Sequence, residues 1–160
     1  MVLSDWIEEF EHRELEKRHN VMPGDLRSRI ELAEWLLFSA KQILFYDKKF
    51  DGTYSDSKTI VMELIENLRK RIRYGCKKEL LNLVTLPNIG RKRARDLVNL
   101  GLQRPNEILK LTSNDKNKLL SLPGWGPKLL DKLIQRIKKD TEVIDYKEKR
   151  VDDEPLPEEK

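Results

Sequence analysis

Apolar residues recur at spacings of three and four through most of the chain, the mark of helices that each bury one face. Leu3, Trp6, Ile7, Phe10 and Leu15 form one stripe of a first amphipathic helix, capped by Ser4 or Asp5 and closed before Val21-Met22-Pro23-Gly24. Asp25 is placed to cap a longer second helix that reaches Tyr46. Leu26, Ile30, Ala33, Leu37, Ala40 and Leu44 keep its repeat, and Leu32, Leu36 and Ile43 widen it, so this helix is expected to be largely buried. Residues 47–56, with Gly52, read as a loop. Asp56 or Ser57 then starts a third helix in which Ile60, Leu64, Leu68 and Ile72 face inward, and Gly75 closes it. Beyond Asp140 the apolar positions thin out and prolines enter, which predicts a loose tail.

The middle of the chain repeats itself. Leu83-Val84-Thr85-Leu86-Pro87-Asn88-Ile89-Gly90 returns 36 residues later as Leu119-Leu120-Ser121-Leu122-Pro123-Gly124-Trp125-Gly126, and the register continues, with Leu97 matching Leu133 and Val98 matching Ile134. Each copy reads as apolar helix, Leu-Pro, tight turn and second helix, the pattern of a helix-hairpin-helix motif. The turn requires a residue that tolerates positive φ, supplied by Gly124 in one copy and by Asn88 in the other. The helix that follows directs backbone N–H groups outward, where they can hold a phosphate. Trp125 reads as a packing anchor between helices rather than a base-stacking ring. The predicted fold class is therefore all-α, a helical bundle followed by a tandem helix-hairpin-helix domain, with boundaries at 1–75, 76–139 and 140–160 for bundle, hairpins and disordered charged tail.

Charge sharpens the picture. The net charge of +4 conceals a segregation: residues 1–66 carry 9 Lys/Arg against 14 Asp/Glu, residues 67–139 carry 19 against 5, and residues 140–160 carry 4 against 9. A polycationic middle between acidic flanks fits a polyanionic partner, nucleic acid first, against the plainer reading of a solvated helical surface. Arg91, Lys92, Arg93 and Arg95 crowd the start of a helix, where the macrodipole disfavours cations unless an anion sits nearby. Ile89 and Gly90 would form the hairpin tip and Arg91 or Arg93 would reach flanking phosphates. In the second copy Gly124, Gly126, Lys128 and Lys132 play these parts, more weakly because Pro127 lacks an N–H. Arg71, Arg73, Lys77 and Lys78 extend the basic track upstream. Tyr74 beside them reads as a core residue.

The remaining composition mainly excludes. The single cysteine, Cys76, rules out an intrachain disulfide and a multi-thiolate metal or iron–sulfur site, and reads as small apolar filler. His12 and His19 read as exposed rather than ligating. No metal or cofactor is implied. No run is long enough to span a bilayer and the acidic start resembles no secretory leader, so a cytoplasmic protein without a membrane partner is expected.

Several stretches together resemble the archaeal superfamily-two DNA repair helicases that act on stalled forks and are related to the polymerase-theta helicase. They are Asp5-Trp6-Ile7-Glu8-Glu9, Met22-Pro23-Gly24-Asp25-Leu26-Arg27, Ala33-Glu34-Trp35-Leu36, Arg71-Ile72-Arg73-Tyr74-Gly75, Lys77-Lys78-Glu79-Leu80-Leu81 and Ile89-Gly90-Arg91-Lys92-Arg93-Ala94-Arg95. The resemblance implies that the first stretch is the end of a ratchet-type helical bundle lying along single-stranded DNA, and the rest a terminal hairpin domain gripping the emerging strand. It assigns Trp35 to base stacking, where its apolar neighbours alone would place it in the core. It assigns Arg91, Arg93 and Arg95 to the basic hairpin arm. Seven residues before Trp35 the family can carry a stacking cation, and Ser28 stands there between Arg27 and Arg29, either of which could substitute. DNA, single-stranded or forked, and a helicase motor in cis or trans are the implied partners. Neither a GxxxxGK-S/T phosphate loop nor an acidic metal-binding helicase motif is present, so ATP hydrolysis by that route is not expected of this chain. Its start within an amphipathic helix favours a helicase fragment over a free-standing relative.

Three alternatives remain. Leu122-Pro123-Gly124-Trp125-Gly126-Pro127-Lys128 also resembles the hairpin of DNA glycosylase/lyases, for which Asp140 or Asp145 would have to serve as the catalytic acid. A nuclease subunit would use the same tandem hairpins. A protein-interaction module would dock an acidic partner on the basic face.

Overall fold

The computed structural model describes residues 1–50 and 55–153, and all regular structure among them is helical. Gly52 of the expected loop and residues 154–160 of the expected tail lie outside the described residues. The chain divides into two compact units, Met1–Thr85 and Leu86–Lys160.

The first unit holds α1 (Val2–Ile7), α2 (His12–His19), α3 (Pro23–Tyr46), α4 (Ser55–Tyr74) and α5 (Leu81–Val84). The single first helix expected from the apolar stripe is two. Glu9 adopts φ +71, and a reciprocal capping box between Glu11 and Glu14 starts α2 afresh. The stripe itself survives the break: Val2, Trp6, Leu15, Val21 and Leu26 form a core that Leu3, Ile7, Phe10 and Ile30 flank. Asp5 does not cap α1. Its carboxylate accepts from Arg18 at 3.1 Å and lies 2.9 Å from His19 Nε2, tying α1 to α2, so His19 is a half-buried partner rather than a solvated side chain. The hydrogen bond with His19, then Arg18, holds the Asp5 carboxyl below the ordinary carboxylate value.

α3 begins three residues earlier than expected, with Met22 rather than Asp25 as its N-cap, Pro23 in the first turn and Asp25 Oδ2 accepting from Met22 N–H at 3.4 Å. It is not largely buried. Only Leu26 is fully covered, whereas Leu32, Leu36 and Ile43 are exposed, and on α4 Ile60, Leu64 and Leu68 are exposed instead of facing inward. Each helix carries more apolar positions than one antiparallel neighbour can cover. What joins the two is partly ionic: Lys41 and Arg69 both donate to Glu66, at 2.9 and 3.0 Å, and Arg73 pairs with Glu34 at 2.9 Å. α4 ends at Gly75 in the left-handed conformation, with Cys76 buried behind it. The neighbouring Trp6 indole N–H donates to Ile72 C=O at 2.7 Å.

The second unit holds α6 (Arg91–Asn99), α7 (Pro105–Ile108), α8 (Ser113–Leu120) and α9 (Pro127–Asp153). Ile89, Ala94, Leu97, Ile108, Leu111, Leu119, Trp125, Leu130, Leu133 and Ile137 are buried, and Ile89 with Trp125 and Leu97 with Leu133 are pairs at the 36-residue offset of the repeat. α6 stops where Gly101 takes φ +84 and Leu102 N–H returns to Leu97 C=O. Glu107 accepts from the N–H groups of Gln103 and Arg104 at the start of α7, which lowers its pKa, and Thr112 caps α8 through Asp115 N–H. α9 continues to Asp153, so residues 140–153 are helical where a loose tail was expected.

Candidate nucleic-acid interface

The two turns have matching backbones. Asn88 has φ +62 and Gly124 φ +84, so the asparagine takes the left-handed position that glycine fills in the other copy, as the sequence predicts. Ile89 N–H returns to Leu86 C=O at 3.1 Å and Trp125 N–H to Leu122 C=O at 3.3 Å. Gly90 caps α6 and its carbonyl accepts from Ala94 N–H, while Gly126 C=O accepts from Leu129 and Leu130 N–H at the start of α9. Both helices therefore begin at a glycine directly after the turn, with their first-turn amides directed past it.

The side chains around the turns do not all take their expected parts. Ile89 is 3% exposed and Trp125 7%, so both pin their turns into the core. The packing role expected of Trp125 is what the structure has, and Ile89, expected at the hairpin tip, has its side chain buried there while its N–H bonds back to Leu86. Arg93 is also redirected. Its Nη1 donates to Asn88 C=O at 2.7 Å and its Nε to Gly124 C=O at 3.0 Å, which spends the guanidinium on the two turns themselves. Asp96, which sequence reasoning passed over, accepts from the Trp125 indole N–H at 2.8 Å. A lone acid in a helix otherwise rich in Arg and Lys was the signal that could have found it. Gly90, Arg91, Lys92, Arg93, Pro123 and Gly124 line an open depression of about 340 Å³. Lys92, Lys128 and Lys132 are exposed, and Arg95 is half-buried on α6. The turn-and-depression arrangement gathers Gly90, Arg91, Lys92 and Gly124; Gly126, Lys128 and Lys132 follow along α9.

In the first unit, several expected cations already have acidic partners. Arg71 pairs with Glu8 at 3.1 Å and donates to Cys76 C=O, Lys77 lies 3.7 Å from Glu8, and Arg73 holds Glu34. Lys78 is exposed. Trp35 is 62% exposed on α3, away from the core that its apolar neighbours suggested. Arg27 pairs with Glu31 one turn along at 2.9 Å, and Arg29 is exposed. At 100° per residue, Glu31 lies within about 40° of Trp35 and Arg27 within about 80°, whereas Arg29 is about 120° away. Arg27 thus lies nearer the face of Trp35 than Arg29 does. Asp140, a glycosylase candidate, is half-exposed and paired with Arg136 at 3.0 Å; the Asp145 side chain lies outside the described residues.

Residues 1–75 match the family described as archaeal helicase, domain 4. The chain is a relative of the C-terminal region of archaeal superfamily-two helicases. It is 36% identical over 137 residues to the ATP-dependent DNA helicase Hel308 of Thermococcus kodakarensis, covering 85% of this chain and 11% of that protein. It is 33% identical over 144 residues to that of Pyrococcus horikoshii (90% and 19%), and 34% identical over 134 residues to that of Methanocaldococcus jannaschii (82% and 10%). The chain thus spans between a tenth and a fifth of the length of these Hel308 relatives.

Proposed function

We propose that the chain binds single-stranded or forked DNA through backbone phosphates, without sequence preference, as the accessory C-terminal part of an ATP-dependent DNA helicase whose motor lies outside it, in cis or in trans. The observation that carries this reading is the duplicated turn: two left-handed residues 36 positions apart, each followed by a helix start with Arg or Lys beside it. A helix-hairpin-helix pair of this kind offers N–H donors and cations to phosphate and touches no base edge, so it discriminates shape rather than sequence. Exposed Trp35, with Arg27 nearest on its face, offers the first unit a stacking contact that tolerates any base. The uncovered apolar positions of α3 and α4 form the kind of surface that marks an interaction site, and the motor is its natural occupant in a chain this much shorter than its relatives.

An electrophoretic comparison of single-stranded, duplex and forked DNA tests the reading with wild type and the double variant Arg91→Glu/Lys128→Glu. Wild type is expected to bind the single strand and the fork, and the double variant to lose at least about tenfold in affinity for both. Equal affinity of the two proteins would remove the hairpins from the interface. The glycosylase alternative draws no support from Asp140, whose half-exposed carboxylate is already paired with Arg136.

A further inference from the structure

The helix after the first turn reaches across to the second with two side chains of opposite character. Arg93 donates to the carbonyls of Asn88 and Gly124, the left-handed residue of each turn, and Asp96, three residues further along α6, accepts the indole proton of Trp125. These contacts are not part of the repeat. Thirty-six residues on, Arg93 corresponds to Leu129 and Asp96 to Lys132, neither of which could make the reciprocal bonds. A phosphate grip shared by two equivalent turns should recur in both copies. A device that sets one turn against the other needs to exist only once.

We propose that Arg93 and Asp96 are positioning residues: they fix the second turn relative to the first so that both engage one DNA strand as a rigid pair, and Arg93 is not itself a phosphate ligand. The proposal rests on the DNA-binding reading above. The chemistry suits the task. A planar guanidinium bonds two carbonyls in fixed directions, whereas an ammonium at the end of a flexible stem does not hold both at once. The carboxylate supplies a charge-assisted acceptor to an indole that is nearly buried. Holding two weak sites at a fixed spacing turns the second binding event into an intramolecular one, so the gain appears only on strands long enough to span both turns.

Three variants of the full chain separate spacing from charge: Arg93→Lys keeps the cation, Asp96→Ala removes an acid, and Trp125→Phe changes no charge. All three are expected to weaken binding of a strand of about twelve nucleotides by about fivefold to tenfold and to leave a strand of about four nucleotides unchanged. For Asp96→Ala the expected sign opposes simple electrostatics, under which loss of an acid strengthens binding of a polyanion. Full retention in Arg93→Lys, or tighter binding in Asp96→Ala, would overturn the proposal. So would an equal loss on short and long strands in Arg93→Met with a salt slope lower by about 0.7, the signature of one lost phosphate contact.

Hydrogen exchange of the DNA-free protein keeps this separate from the fate of the DNA reading. Arg93→Lys is expected to speed exchange at the Trp125 indole N–H while Ala94 N–H, bonded within α6, stays as protected as in wild type. If wild type bound no DNA but the indole responded in this way, the functional reading would fail and the positioning contact would stand. An unchanged indole would dismiss the contact whatever the protein binds.

Discussion

At position 75 two requirements coincide on one residue. Gly75 has φ +60, and a Cβ built there lands in the benzo ring of Trp6, which is itself held by its bond to Ile72 C=O. The indole is buried in the core of the first unit. Gly75→Ala therefore adds backbone strain to a steric overlap and is expected to cost about 3 kcal/mol or more. Thermal unfolding checks this, and a variant melting within about 2 °C of wild type would mean that the ring relocates at little cost. The glycine's role at the end of a helix is legible in the sequence; the ring it makes room for is not, because nothing local to Gly75 announces a tryptophan from the first turn of the chain. The same division holds at the hairpins. Asn88 is recognisable as a stand-in for glycine because asparagine tolerates the left-handed region, whereas the burial of Ile89 and the redirection of Arg93 depend on groups brought in from elsewhere in the unit. A cation's residue type predicts that it seeks an oxygen, and a backbone carbonyl satisfies it as well as a phosphate does.

Periodicity identifies α3 and α4 as helices, and the sequence also places their ends to within two or three residues. It overstates their burial, because an apolar residue records only that it is to be covered in the working protein, by whichever surface does the covering. The break between α1 and α2 escaped detection for a different reason. The apolar stripe continues across it, and only the Glu11–Glu14 capping box marks the restart. Between α3 and α4 the ionic contact at Glu66 permits a signed prediction. Lys41, then Arg69, holds the Glu66 carboxyl below the ordinary glutamate value while the side chain is about a fifth exposed. A depressed folded pKa means that the carboxylate stabilises the fold at any pH above its unfolded value and stops doing so as pH falls through the folded one. Glu66→Gln should therefore destabilise the first unit by about 1 kcal/mol at pH 7, after allowance for solvent screening. The gap between variant and wild type should close as the pH is taken from about 4.5 downward. Denaturant titrations at pH 7 and pH 3 measure it, and a gap that widened on acidification would reverse the assignment.

At the scale of the whole molecule the charge pattern, fully legible from the sequence, is distributed unevenly once the contacts are known. In the first unit Arg69, Arg71, Arg73 and Lys77 have acidic neighbours on the same unit, so part of the expected polycation is internally neutralised. Residues 86–139 retain 13 Lys/Arg against 4 Asp/Glu. Arg93 donates to the carbonyls of Asn88 and Gly124, so on the positioning reading it is not counted among the phosphate contacts. If about four phosphates are contacted, the logarithm of single-strand affinity should fall against the logarithm of salt with a slope of about −3. The count separates the possible interfaces. A slope near zero denies an electrostatic grip altogether. A slope steeper than about −6 needs more phosphates than the two turns reach, and would require the cations of the first unit to exchange their carboxylates for DNA. That exchange leaves a trace of its own: Glu8 and Glu34 would lose their partners on binding, so substituting them with glutamine would strengthen affinity for single strands. With the turns alone in contact, the same substitutions should lower thermal stability slightly and leave the slope where it was.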